Sequence, residues 1–169
     1  IDMIITSGAV SAGKFDFVPK IVNNFKLSNY FKSVAIRPGK PILFAKIKGK
    51  PKAVFGLPGN PISSAACFRF FVYPYIRSLL GIKDEISFKA RLKNEFRKKN
   101  DLTRFVKSKL STTKNGKLEV EILKGQESFR IKSFIQSNIW VMLPSGKERF
   151  KKGETVDCFF PNQPNNKFL

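Results

Sequence analysis

Two proline-glycine turns constrain this chain more than any other feature: Arg37-Pro38-Gly39-Lys40-Pro41 and Leu57-Pro58-Gly59-Asn60-Pro61. The second closes the apolar run Ala53 to Leu57 and opens a long apolar-periodic segment, Ile62 to Leu80, so it reads as a strand-to-helix turn. Asn60 is a suitable N-cap, because its side-chain oxygen can accept an orphan N–H, and Pro61 sits where a helix loses nothing by lacking its own N–H. Ser63 and Ser64 fall in the first turn. The helix is therefore expected to begin with free N–H groups, two hydroxyls and the positive end of the macrodipole, which together favour an anion. Arg37 and Lys40 can add full positive charge to the same pocket. Either turn alone is explained as a tight connection, glycine for positive φ and proline for fixed φ. The pair, with a glycine- and serine-rich loop upstream, points instead to a ligand site.

The order of elements supports that reading. Asp2 to Thr6 is a short apolar run ending at Ser7-Gly8, the pattern of a fully buried parallel strand. Gly8, Ser11 and Gly13 then form a loop of small residues that a ligand can approach closely. Asp16 opens a helical face of Phe17, Val18, Ile21, Val22 and Phe25, and reads either as an N-cap or as a ligand-facing carboxylate. Tyr30 to Ile36 and Ile42 to Ile47 are the next expected strands, followed by Ala53 to Leu57 and the helix from Ile62, in which Pro74 predicts a kink or an early end near Tyr73. This is an α/β layer, in which ligands bind beyond the carboxyl ends of strands. After Gly81 the helical period fades. Alternating runs at Phe88 to Leu92, Phe105 to Leu110, Leu118 to Ile122, Ile139 to Leu143 and Val156 to Phe160, with an Asn115-Gly116 hairpin signal, predict a small all-β barrel or sandwich. The expected division is 1–83 and 84–161, with the boundary near Ile82 to Glu85 and an Asn- and Pro-rich tail, 162–169, expected to be disordered.

Composition sets limits. The formal charge of +20 raises nucleic acid as a partner, because lysine and arginine release counterions from phosphates. The lysines are spread from Lys14 to Lys167, and the short clusters at Arg97-Lys98-Lys99 and Lys151-Lys152 are not interleaved with aromatics, so nucleic acid is not the expected partner. The same field would concentrate a small anionic substrate. Histidine is absent and Cys67 and Cys158 lack metal-ligand spacing, which excludes histidine catalysis and zinc sites within these residues. With neither an apolar membrane span nor a secretory leader in the sequence, a cytoplasmic location is expected. The start at Ile1, inside a strand, suggests the C-terminal piece of a longer protein.

Thr6-Ser7-Gly8-Ala9-Val10-Ser11-Ala12-Gly13, then Asp16, then the two proline-glycine turns with Ser63, resemble the molybdopterin molybdenumtransferase family, which includes the C-terminal part of gephyrin. Gly125-Gln126 and Ser137-Asn138 ahead of Leu143-Pro144 extend the resemblance more weakly. It implies a three-layer molybdopterin-binding α/β domain (MogA/MoaB-like), N-terminally truncated here, followed by a small β-barrel. It further implies an enzyme that takes adenylylated molybdopterin and molybdate as substrates, inserts the metal, and releases AMP with magnesium assisting. On this resemblance Asp16, Pro58 and Pro61 are catalytic, Asp16 also the metal ligand. Gly8, Ser11, Gly13, Arg37, Gly39, Lys40, Gly59, Asn60 and Ser63 bind substrate. A homodimer is implied for the full-length protein. Ala9 stands where the family commonly has glycine, Lys14 where an acid is frequent, and Ser33 where lysine is often found. The family's upstream domains and its earlier Thr-Gly-Asp-Glu turn are absent from these residues, so about half a site and an inactive isolated piece are expected. The alternative reading is a non-catalytic basic module that binds an acidic partner or nucleic acid.

Overall fold

The computed structural model describes residues 1–8, 18–22, 24–50, 52–99 and 101–161. Ser11, Gly13, Asp16 and the tail 162–169 therefore lie outside the described residues. The chain forms two compact units, Ile1–Ile76 and Arg77–Leu169. The end of the helix is tied to the residues just beyond it. The Ile82 amide donates to the Arg77 carbonyl at 2.9 Å, and the Arg77 guanidinium donates to the carbonyl of Lys83.

The first unit contains β1 (Met3–Ser7), α1 (Val18–Val22), β2 (Leu27–Phe31), the two-residue β3 (Ile36–Arg37), β4 (Leu43–Ile47) and β5 (Ala53–Leu57). A continuous helix comes next: α2 (Pro61–Cys67), one π turn (Phe68–Val72) and α3 (Tyr73–Leu79). The sheet order is β1-β5-β4-β2. β1 runs parallel to β5, with Ser7 opposite Leu57, whereas β4 is antiparallel to both its neighbours. The sheet is thus mixed, and β1 is not the fully buried strand its apolar run suggests. Its one partner among the described residues is β5, and Ile4 and Ile5 are 49% and 40% exposed. The expected strand Tyr30 to Ile36 is displaced as well. β2 begins at Leu27, with an irregular register between Leu27 and Asn29, and ends at Phe31.

Alternation along β4 divides its side chains between two faces. Phe44 packs with Phe55 and with Tyr75 of α3, ring centroids 5.6 and 5.4 Å from the tyrosine, in a core that includes Ile42, Leu57, Cys67 and Val72. Leu43 and Ala45 face the other way, onto Val22 of α1 and partly buried Val18 and Leu27. Pro74 produces neither a break nor an early end. An in-register proline would lack an N–H and crowd the carbonyl four residues back. The chain widens by one residue just before it, the Tyr73 amide donating to the Phe68 carbonyl, and the helix continues.

The second unit holds β6 (Phe88–Leu92), β7 (Phe96–Arg97), β8 (Thr103–Thr112), β9 (Leu118–Ile122), α4 (Ile131–Gln136), β10 (Ile139–Leu143), β11 (Arg149–Phe150) and β12 (Thr155–Phe159). Strands β10, β12, β6, β9 and β8 neighbour one another in that order, and β8 pairs back on β10, closing a barrel. Leu92, Val106, Val120, Val141, Leu143, Phe150 and Cys158 fill it. The Asn115-Gly116 turn joins β8 to β9, with Gly116 at φ +73° and the Thr113 amide bonded to the Lys117 carbonyl.

Candidate functional site

Because β1 and β5 are parallel, their carboxyl ends lie side by side, and the loops leaving them meet. The Gly8 amide donates to the Leu57 carbonyl at 2.9 Å. A Cβ on Gly59 would stand 3.6 Å from the Cα of Gly8, so a side chain there would fill the space between the two backbones where both strands end. Pro58 is buried beneath them. Its carbonyl accepts from the hydroxyl of Ser64, and from Ser7 Oγ at a long 3.5 Å. Two serines thus hold the turn from either side, a role the sequence did not single out for Ser7 or Ser64.

At the start of α2 the Asn60 carboxamide oxygen accepts from the Ile62 and Ser63 amides at 3.2 and 3.3 Å. The cap forms as expected, with Pro61 next to it, and its consequence differs from the expectation. The N–H groups read as free for an anion are taken by Asn60, and Ser63 is buried at 7% exposure. What faces solvent here is the glycine backbone of Gly59, Pro61 and partly Asn60.

The sister turn packs on the same helix. Gly39 has φ +101°, and a Cβ there would meet Cys67 Sγ at 2.5 Å and the Ser63 carbonyl at 3.4 Å. The Cys67 thiol donates to the Gly39 carbonyl at 3.3 Å, and burial pushes its pKa up to about 12, so it stays a neutral packing group. The Lys40 carbonyl accepts the Val34 and Ile42 amides at 3.0 Å each, fixing the turn, whose Arg37–Pro38 peptide is cis. Arg37 and Lys40 themselves are exposed and make no ion pair among the described residues. The structure thus joins Gly8, Pro58 and Gly59 at one end of the sheet, and packs Gly39 against the helix that Asn60, Pro61 and Ser63 begin. Among the described residues no group of three carboxylate, thiol or imidazole side chains could hold a metal ion. The magnesium expectation rests on Asp16 alone, outside those residues.

Residues 1–78 match the family described as a probable molybdopterin binding domain, and residues 89–159 match the MoeA C-terminal region (domain IV). A molybdopterin molybdenumtransferase of Staphylococcus aureus (strain COL) is 37% identical over 159 residues, covering 92% of this chain and 37% of that protein. One of Staphylococcus epidermidis (strain ATCC 12228 / FDA PCI 1200) is 36% identical over the same coverage. A crystal structure of a molybdopterin biosynthesis moeA protein from Pyrococcus horikoshii superimposes with TM-score 0.69 at 27% identity, covering 96% of this chain and 38% of that one. Fold and turns together define a molybdopterin-binding α/β domain followed by a small β-barrel. The chain belongs to the molybdopterin molybdenumtransferase family. It spans 37% of the length of the curated relatives it matches.

Proposed function

We propose that this chain contributes the molybdopterin-binding turns and the barrel of an enzyme that inserts molybdate into adenylylated molybdopterin, releasing AMP and giving molybdenum cofactor. The observation that carries the reading is the bond from the Gly8 amide to the Leu57 carbonyl, which holds the Gly8 and Pro58-Gly59 loops together over the parallel ends of β1 and β5, the place where open α/β sheets bind their ligands. Glycines there let a flat or phosphorylated ligand reach the backbone. The capped helix and the serine-held Pro58 carbonyl keep the turn in one geometry, so little ordering is needed when substrate arrives. Arg37 and Lys40 supply the charge that neutralises phosphate or the molybdate oxyanion, in place of the helix N–H groups that Asn60 occupies. Tungstate would make the same demands on these two side chains. In this reading Ser11 and Gly13 extend the backbone cradle and Asp16 is the single carboxylate on offer to magnesium. The working enzyme is a cytoplasmic homodimer, and residues 1–169 alone do not turn over. No helix among the described residues is long and apolar enough to cross a membrane.

The charge of +20 favours one competing reading, a basic binding module for nucleic acid. A titration of the chain with adenylylated molybdopterin separates the two. Binding should weaken at least tenfold, about 1.4 kcal/mol, in the Arg37→Ala/Lys40→Ala double variant. Undiminished affinity overturns the assigned role of these residues. No pterin binding, with DNA binding that falls steeply as salt rises, would establish the module instead.

A further inference from the structure

The Pro58 carbonyl is reached by side chains of two elements. Ser64, in the first turn of α2, donates its hydroxyl to it, and Ser7, the last residue of β1, donates from Oγ at 3.5 Å. A trans peptide holds its C=O and N–H on opposite sides, and the Pro58–Gly59 peptide is trans. With its oxygen turned in toward the two serines, it therefore turns the Gly59 N–H away from both. Pro58 is buried and Gly59 is exposed, and the Gly59 N–H meets no protein acceptor among the described residues.

That orientation is not the one a Pro-Gly pair favours by itself. At the centre of a turn the pair favours the form in which glycine takes a positive φ, and the common alternative has the peptide between the two residues turned over. Gly59 is not at positive φ, unlike Gly8 and Gly39. Glycine has no Cβ to oppose the change, so the backbone alone leaves both forms within reach. The difference decides what a ligand would meet. With the peptide turned over, a carbonyl oxygen would stand where the N–H now points, and the turn would repel an anion instead of receiving it. The helix cannot make up the loss, because the Ile62 and Ser63 amides are already taken by Asn60.

We propose that Ser64 is a positioning residue for substrate binding: its hydroxyl, seconded by Ser7, selects the peptide orientation that offers the Gly59 N–H to an anionic oxygen of the substrate. The substrate here rests on the function proposed above, whereas the orientation of the peptide does not. Ser64 acts through the Pro58 carbonyl and is not itself a substrate contact. One hydroxyl–carbonyl bond is enough to shift a balance between two turn forms by about fivefold. Ser7, at its longer distance, adds less.

The test compares the full chain with its Ser64→Ala and Ser64→Thr variants in two measurements. The first is NMR of the free chain, following the Gly59 amide and, through it, the carbonyl carbon of Pro58. One sharp set of signals is expected for the unsubstituted chain and for Ser64→Thr, which keeps the hydroxyl, and a doubled, broadened or displaced set for Ser64→Ala. The second is a titration with adenylylated molybdopterin, in which Ser64→Ala should weaken binding about fivefold and Ser64→Thr should restore it. Ser64 is only half-buried, so melting temperatures should stay level across the three. Gly59 and Pro58 signals that Ser64→Ala leaves unmoved overturn the proposal, and so does a Ser64→Ala chain that binds as tightly as the unsubstituted one. A loss of affinity that Ser64→Thr does not restore, or that comes with a lowered melting temperature and unmoved Gly59 signals, overturns it as well. No binding by the unsubstituted chain overturns the function proposed above, and the signals of the free chain then decide the role of Ser64 by themselves.

Discussion

In the barrel each of β8, β10, β12, β6 and β9 has a neighbour on both sides, whereas in the first unit β1 has β5 on one side only and leaves Ile4 and Ile5 half in solvent. The contrast extends to their apolar surface. The barrel buries Val106, Val120, Val141 and Leu143 completely, while the open sheet carries an apolar groove of about 260 Å³ lined by Ile4, Ile21, Phe25, Ile47 and others. Closure removes edges and lets a small β unit stabilise itself. An open sheet does not gain that, and it keeps something a closed one gives up: strand ends with loops that meet over a ligand. In this chain Gly8 and the Pro58-Gly59 turn leave strands of the open sheet.

The largest test of the contrast is a matched pair of truncations. Leu143→Ala, at a fully buried barrel position, should cost about 4 kcal/mol, while Ile4→Ala on the exposed strand should change stability by no more than about 0.5 kcal/mol. Urea unfolding followed by Trp140 fluorescence and far-UV circular dichroism reads both. Equal losses would show that β1 is as deeply integrated as the barrel strands. Next in size is Gly39→Ala, which places a Cβ at positive φ and against Cys67 Sγ, at a combined cost of about 3 kcal/mol. Adding Cys67→Ala should restore roughly half of that, the steric share, and leave the backbone share. Failure of the second change to restore anything would mean that the glycine is required for its φ alone.

The smallest effect is the response to acid. Glu95 is held below its ordinary value of 4.5 by Arg149 and Arg97, and Glu154 below 4.5 chiefly by Lys147. For Asp157 burial opposes ionisation, yet hydrogen bonds from Lys89 and Ser87 outweigh it and hold the carboxyl below 3.8. Each carboxylate therefore adds stability that is complete above its unfolded pKa and is lost as pH falls through the lower folded value. All three lie in the barrel unit and are largely solvated, so its urea midpoint should decline modestly below about pH 4 and the decline should flatten in high salt. A midpoint read by Trp140 that stays level from about pH 5 to 2.5 would show that these pairs contribute nothing.

Legibility followed the range of the interactions involved. The strands Ala53–Leu57, Phe88–Leu92 and Ile139–Leu143 could be read because alternation or an apolar run between breakers is a local property. β2 was misplaced because Ser28 and Asn29 look like loop residues, and pairing with β4 overrides that preference. α4 was missed: six residues with no side-chain cap, and with Ile131 and Ile135 exposed, give no amphipathic signal. In the site, the Asn60 cap was legible from residue type, and its occupation of the N–H groups was its unexamined consequence. Gly39 illustrates the remaining gap. As a motif glycine it suggested a ligand approaching the backbone, and only the position of Cys67, 28 residues on, reveals a packing reason for its lack of a side chain.

The widened turn at Phe68–Val72 gives the helix a phase offset. An α-helix advances roughly 100° per residue, so the one extra residue held in that turn sets where every later side chain points. Tyr75 meets Phe44 and Phe55 only with that offset in place. A single-residue deletion between positions 68 and 72 would give a more regular helix and turn Tyr75 away from both rings, so insertions and deletions here act on the core as rotations.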